Sequence, residues 1–267
     1  DPADGRLAGG DPARQAAVAA RIPVARTAYL INQVCGSGLR AVPAGVQALR
    51  LGEAGIVVAG GQESMSQAPH AARLRSGKRL GDTTLEDTLL KDGLTCALMG
   101  YPMGVTAENI ARAQGISRAE QDEFAAASQA KAEAAQRAGH FAAEIAPLAA
   151  SPDGGATIAE DERPHAGTEL AKLARLKPVF AEDGSVTAGN SSSINDGAAA
   201  LVLMDAAAAA KRGLTPLARV VSWATAGVDP AQMGLGPVPA TREALRRAGW
   251  TIGEIELIEL NEAFAAQ

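Results

Sequence analysis

The chain has 267 residues, 47% of them hydrophobic and 3% aromatic, with a formal net charge of -5 at pH 7. That leaves room for two domains or one large α/β unit with a buried core, packed through small side chains and close backbone contacts rather than large rings. The negative balance argues against nucleic acid as the main partner, and an anionic substrate would need local cations to meet it.

Two cysteines, Cys35 and Cys96, are too few for a disulfide framework or a structural zinc site, so a reducing cytosol is the expected compartment. No apolar run reaches the roughly 18 residues of a membrane span, and no membrane partner is expected. The first residue is Asp1 and the chain stops at Gln267 straight after an apolar segment, which reads as a chain cut at both ends.

Residues 1–11 read as a loop, with Asp4-Gly5 and Gly9-Gly10 as turn signals, and 12–21 as a short alanine-rich helix stopped by Pro23. The apolar run 28–34 predicts a buried strand that ends at Cys35. Gly36 and Gly38 follow, and Leu39, Val42, Val46 and Leu49 at helical spacing predict a helix to about Leu51 that turns at Gly52. Residues 56–59, before Gly60-Gly61, predict a second buried strand. Strand, helix and strand in close succession make a βαβ unit with a parallel sheet.

Residues 62–101 are irregular, and a long irregular stretch in a compact domain is usually functional or interface-forming. Inside it, 73–80 reads as a small cationic hairpin turning at Ser76-Gly77, which either faces water, meets an anion or contacts a subunit. Ser117-Arg118-Ala119-Glu120 is a capping box, and its helix should run to Gly139. Residues 144–148 read as a strand and 151–168 as a surface excursion. The polar segment 187–197 leads into a strand at 199–204 and a helix over 205–212. Alternation then resumes with a strand at 217–228, a helix at 240–248 closed by Gly249, and a strand at 255–260 that ends in Asn261-Glu262-Ala263-Phe264.

Cys35 is the candidate nucleophile. At a strand-to-helix junction its sulfur lies near unpaired backbone N–H groups and the positive end of a helix dipole, surroundings suited to an anionic nucleophile. Glycines on both sides of Ser37 let the chain turn and let substrate approach. A buried structural cysteine is the competing reading. His70, His140 and His165 carry no motif and read as surface residues, so no base is evident. Asn261, at the carboxyl end of a predicted strand, is where open α/β sheets bind ligands, and could hold a water, polarise a carbonyl or simply cap a loop.

Several stretches, in the same order along nearly the whole chain, closely resemble thiolases, especially the acetyl-CoA acetyltransferase branch. They are Asn32-Gln33-Val34-Cys35-Gly36-Ser37-Gly38-Leu39-Arg40-Ala41, residues 59–70 from Ala59-Gly60-Gly61-Gln62-Glu63-Ser64 onward, Met103-Gly104-Val105-Thr106-Ala107-Glu108-Asn109, residues 187–200, and Asn261-Glu262-Ala263-Phe264-Ala265-Ala266-Gln267. The resemblance implies an α/β, thiolase-like fold with two βαβ-type halves and a loop-domain insertion. The N-terminal half would occupy 1–61 and 182–213, the loop domain covering coenzyme A 62–181, and the C-terminal half 214–267.

It also implies ping-pong acyl transfer. Cys35 would take the acyl group of an acyl-CoA, Asn261 would hold a water that helps form an oxyanion hole, and the backbone N–H of Cys35 would serve another. Leu94, Met103, Ala188, Ser192 and Phe264 would line the pantetheine channel. Coenzyme A thioesters would be substrates, with no permanently bound cofactor and no metal. The loop at 73–80 corresponds to one that forms tetramers, so a homotetramer in the cytoplasm is expected.

The family's Gly-His-Pro and Cys-x-Gly-Gly motifs do not occur here, and 1–267 alone is therefore expected to be inactive in condensation. Pro102 stands where many short-chain members have His, which leaves chain length open. The alternatives are a degradative 3-ketoacyl-CoA thiolase of broader chain length, or a non-catalytic acyl-CoA-binding relative.

Overall fold

The computed structural model describes residues 11–78, 80–149 and 155–267. The turn signals at Asp4-Gly5 and Gly9-Gly10, Arg79 of the cationic loop and the start of the 151–168 excursion lie outside them. Described residues up to Leu85 and Asn195–Val221 form one compact unit, and Glu86–Ile194 with Ser222–Gln267 form another.

The first unit is built on one helix and one strand pair. Helix α1 (Pro12–Ala19) starts where the Asp11 carboxylate accepts the Arg14 N–H at 3.2 Å, with proline just inside. Helix α2 (Ser37–Arg50) passes through Pro43 without breaking. Strand β1 (Ile56–Ser64) is followed by the two-residue β2 (His70–Ala71). Strand β6 (Asp196–Met204) pairs antiparallel with β1, from Ile56 opposite Met204 to Ser64 opposite Asp196. Helix α6 (Ala206–Lys211) follows, with Asp205 accepting the Ala207 N–H at 2.8 Å.

Glycine sets how α2 lies on this pair. A Cβ on Gly45 would sit 2.9 Å from Leu203 Cδ1 and 3.0 Å from Val57 Cγ1, and one on Gly61 would sit 3.1 Å from the Gly38 Cα. The first turn of α2 is thus pressed backbone to backbone onto β1, and that contact places the Cys35 turn.

In the second unit, β3 (Glu86–Asp87) precedes a π-helical turn (Leu89–Leu94). Helix α3 (Met103–Gln114) ends at Gly115 with φ 67°. Helix α4 (Arg118–Arg137) opens with the predicted box, where Ser117 Oγ accepts the Glu120 N–H at 3.2 Å and Glu120 accepts the Ser117 N–H at 2.7 Å. The short pair β4 (Leu148–Ala149) and β5 (Thr157–Ile158), helix α5 (Leu170–Leu173) and helix α7 (Pro237–Ala248), closed by Gly249 at φ 72°, complete it. Ala107, Ala111, Val186 and Ala266 form its core, with Ile116, Phe180 and Phe264 packed against them.

Several expected strands are corrected. Residues 217–228 and 255–260 are coil outside any strand, 28–34 is coil that ends in the turn at Gln33 and Val34, 144–148 is turn and coil up to Leu148, and 73–78 makes a turn without a ladder. Their apolar side chains stay open, with Leu217 101%, Leu257 79% and Tyr29 66% exposed. A strand exists only by pairing, and no described segment offers these stretches a ladder. With 28–34 unpaired, the parallel βαβ ladder is absent too, and β1 takes its partner from β6 instead.

Candidate active site

Cys35 is exposed. It lies in a tight turn closed by the Gly36 N–H donating to Gln33 O at 3.0 Å, and the next residue but one begins α2. The residue before it, Val34, has φ 50°, a left-handed conformation that costs a branched side chain roughly 1–3 kcal/mol. Three bonds hold the turn. Ser37 Oγ accepts the Gln33 N–H at 2.8 Å and donates to Val34 O at 2.6 Å, and Asn32 Oδ1 accepts the Val34 N–H at 3.0 Å. The buried-cysteine reading is therefore set aside for an accessible thiol on a strained turn. Hydrogen bonding by Ser37 and Asn32 is a feature that sequence reasoning missed. The only signal available was a serine just inside a predicted helix start.

The other predicted site residues belong to the second unit. Asn261 is exposed in an extended segment, and the carboxylate of its neighbour Glu262 accepts a hydrogen bond from Ser128 on α4. Ser192 and Phe264 come together, because the Ser192 N–H donates to Ala263 O at 2.9 Å, the Ala265 N–H to Asn190 O at 2.9 Å, and Ser191 bridges Phe264, whereas Ala188 is exposed in the turn before Asn190. Phe264 meets Phe180 edge to face at a centroid distance of 6.1 Å. Met103 is the first residue of α3, whose second residue, Gly104, is pressed against the same Phe180 ring. Leu94 stands on a different element, at the end of the π-helical turn, half-buried.

What organises this cluster is a buried polar set that sequence reasoning also missed. Glu108 accepts the N–H groups of Ser185 at 2.9 Å and Val186 at 2.8 Å, together with the Ser185 hydroxyl at 3.1 Å. Asn190 accepts the Thr187 N–H at 2.7 Å and donates to Asp122 Oδ1 and Ser185 O, each at 3.0 Å. Arg118 closes the set, donating to Asp122 at 2.8 Å and to the carbonyls of Leu173 and Leu176. Glu108, Arg118 and Asp122 lie on helices and Asn190 in a loop, places where a polar residue normally reads as solvent-facing, so only the burial of the set reveals it. His70, His140 and His165 are all exposed.

Residues 4–207 match the family described as thiolase, N-terminal domain, and residues 214–267 match thiolase, C-terminal domain. The chain belongs to the thiolase family. An acetyl-CoA acetyltransferase of Rhizobium meliloti is 57% identical over 260 residues, which cover 97% of this chain and 66% of that relative. The crystal structure of the Bacillus anthracis acetyl-CoA acetyltransferase matches with a TM-score of 0.93 at 42% identity, over 98% of this chain and 66% of that one. Human mitochondrial 3-ketoacyl-CoA thiolase in complex with CoA matches with a TM-score of 0.90 at 43% identity, over 95% and 64%.

The fold is that of the thiolases, as the sequence motifs imply, and this thiolase chain spans about two thirds of the length of the relatives it matches. Among its described residues no helix is long and apolar enough to cross a membrane, and no group of three or more His, Cys, Asp or Glu is placed to hold a metal ion.

Proposed function

We propose that the whole protein carrying this chain is an acetyl-CoA C-acetyltransferase that condenses two acetyl-CoA to acetoacetyl-CoA and runs the thiolysis in reverse. In the forward direction the Cys35 sulfur attacks the thioester carbonyl. A C–S bond forms to Cys35, the bond to coenzyme A breaks, and coenzyme A leaves as the thiol with the proton the cysteine gave up. A second acetyl-CoA then loses a methyl proton, its carbon attacks the acyl carbon, and the bond to Cys35 breaks, the departing sulfur taking up the equivalent of that proton so that the thiol is restored. The observation that carries this reading is an exposed thiol on a strained turn feeding directly into a helix. The acetyl-CoA acetyltransferase relatives agree with it.

Asn261 holds the water that stabilises one oxyanion, and the Cys35 N–H serves another. Leu94, Met103, Ala188, Ser192 and Phe264 contact the pantetheine arm. The Phe264 ring against Phe180, with Ser192 bonded to the neighbouring Ala263, supports an apolar wall there. Coenzyme A thioesters are the substrates and products, without a resident cofactor. Residues 62–181 are the loop domain over coenzyme A, inserted between 1–61 and 182–213 of the N-terminal half, with 214–267 in the C-terminal half. The 73–80 loop contributes to a cytoplasmic homotetramer.

Incubating the whole protein with acetyl-CoA and mapping the adduct tests the reading. An added acetyl group on Cys35, absent in Cys35→Ala with loss of turnover, is expected. Acetylation elsewhere, or turnover kept by Cys35→Ala, overturns it.

A second reading is favoured by one observation. Pro102, the exposed residue just before α3, stands where many short-chain members carry His. On that reading the protein is a degradative 3-ketoacyl-CoA thiolase of broader chain length. Thiolysis rates on four-carbon and longer 3-ketoacyl-CoA substrates decide between the two.

A further inference from the structure

The turn that carries Cys35 is held by side chains to which acyl transfer has assigned no part. We propose that Ser37, assisted by Asn32, is a positioning residue for the acyl-accepting cysteine. It holds Val34 left-handed, so that the Cys35 N–H points away from the turn, free to meet an acyl oxygen. The proposal rests on Cys35 being the acyl acceptor.

Residues Gln33 to Gly36 form a four-residue turn closed by the Gly36 N–H on Gln33 O at 3.0 Å. Of its two central residues only the first, Val34, has positive φ, at 50°. That is the pattern of a type II′ turn, whose first central position belongs to glycine because a Cβ crowds the backbone there. Valine, branched at Cβ, is among the residues least suited to it. A conformation this unfavourable persists only when its surroundings impose it.

The imposing groups are identifiable. The Ser37 hydroxyl accepts from the Gln33 N–H and donates to Val34 O, at 2.8 and 2.6 Å, while the Asn32 side chain accepts the Val34 N–H at 3.0 Å. The peptide groups on both sides of Val34 are therefore fixed. Ser37 stands where a serine would ordinarily help to start a helix, yet Gly36 is the capping position of α2 and no side chain caps it. The hydroxyl is turned back onto the turn instead.

The consequence reaches Cys35 through peptide geometry. Val34 O is drawn toward Ser37 by both its hydroxyl and its N–H, the latter at 3.1 Å. In a trans peptide the next N–H points the opposite way, so the Cys35 N–H is directed outward, and among the described residues it meets no acceptor. A donor fixed in advance beside the nucleophile stabilises a developing oxyanion without reorganising during the reaction. Released from the clamp, Val34 relaxes toward negative φ, and both the N–H and the thiol swing out of line.

The test uses the whole protein and follows acetylation of Cys35 by acetyl-CoA with mass spectrometry, alongside kcat and KM. Ser37→Ala should slow acetylation roughly 10- to 100-fold while KM for acetyl-CoA stays within about twofold. Ser37→Thr, which keeps the hydroxyl, should restore most of the rate. On a Val34→Gly background, where the turn needs no clamp, the Ser37→Ala penalty should fall below about threefold.

Acetylation at the unaltered rate in Ser37→Ala overturns the proposal, and so does an equal penalty in the valine and glycine backgrounds. If Ser37→Ala does not fold, Val34→Gly with and without it carries the comparison, and a penalty of tenfold or more there also overturns the proposal. Failure of the underlying reading looks different, because Cys35 of the unaltered protein would then carry no acetyl group.

Discussion

In the first unit the strands β1 and β6 are apolar yet open, with Ile56, Val58, Leu201 and Val202 each 47% exposed or more, and among its described residues Ala59 and Ala209 are the buried members of the hydrophobic core. In the second, Ala107, Ile110, Ala111, Leu173, Val186 and Ala266 are buried alongside Thr106, Glu108, Gln121, Asp122, Thr187 and Asn190. The contrast separates two ways of holding a candidate-site segment. The Cys35 turn is held locally, by side chains within five residues of one another resting on a glycine contact between helix and strand. The segment 261–267 is held from a distance, through a loop at 185–192 that is itself fastened to α3 and α4 by buried carboxylates and amides. Removing a support should therefore act within one turn in the first unit and across several elements in the second.

The largest expected effect is that of Glu108→Ala. It leaves the Ser185 and Val186 N–H groups without their acceptor in a buried site, at a cost of about 3 kcal/mol. Amide exchange should speed up at 185–192 and 263–265 while β1 is unchanged. Equal acceleration in β1 and β6 would break the contrast.

Next is Gly104→Ala, where the new Cβ would stand 2.2 Å from Phe180 Cε2. The ring has to move, which costs about 2 kcal/mol in urea unfolding and disturbs the Phe180–Phe264 pair. A variant of unaltered stability would show that the α3–Phe180–Phe264 contact is looser than drawn.

The smallest effect belongs to the first unit. Asp196 accepts from the Ser66 hydroxyl and, at 2.9 Å, from the Ser66 N–H, and these bonds, the hydroxyl first, hold its carboxyl below the ordinary value of 3.8. Because the folded value is the lower one, the contribution is complete above 3.8 and is lost as pH falls through the folded pKa. The group is exposed, so the change in stability is small. The Ser66 amide proton should titrate with a midpoint below 3.8 in NMR, and Asp196→Asn should abolish that titration. A Ser66 amide that does not respond to acid would remove this fastening from the first unit.

Sequence motifs were most informative where the governing interactions are local. The capping box at Ser117 and Glu120, the helix stops at Gly139 and Gly249 and the helix that follows Cys35 depend on neighbours a few residues away, and each stands where the pattern places it. The cysteine could be singled out for the same reason, since a candidate nucleophile just ahead of a helix is written in consecutive residues. The strands at 28–34, 217–228 and 255–260 have strand-like composition but no described ladder, and composition carries no information about a partner.

Three features were decided only in the folded molecule. The antiparallel register of β1 with β6 joins segments far apart in the chain, so its hydrogen bonds exist only once the intervening unit has returned the chain to β1. The burial of Glu108, Asp122 and Asn190 depends on the loop at 185–190 folding onto α3 and α4. The left-handed Val34 contradicts its own side chain's preference, and sequence predicts preferences. In the folded chain it is fastened by the hydrogen bond that Ser37 donates to Val34 O and the one that Asn32 accepts from the Val34 N–H.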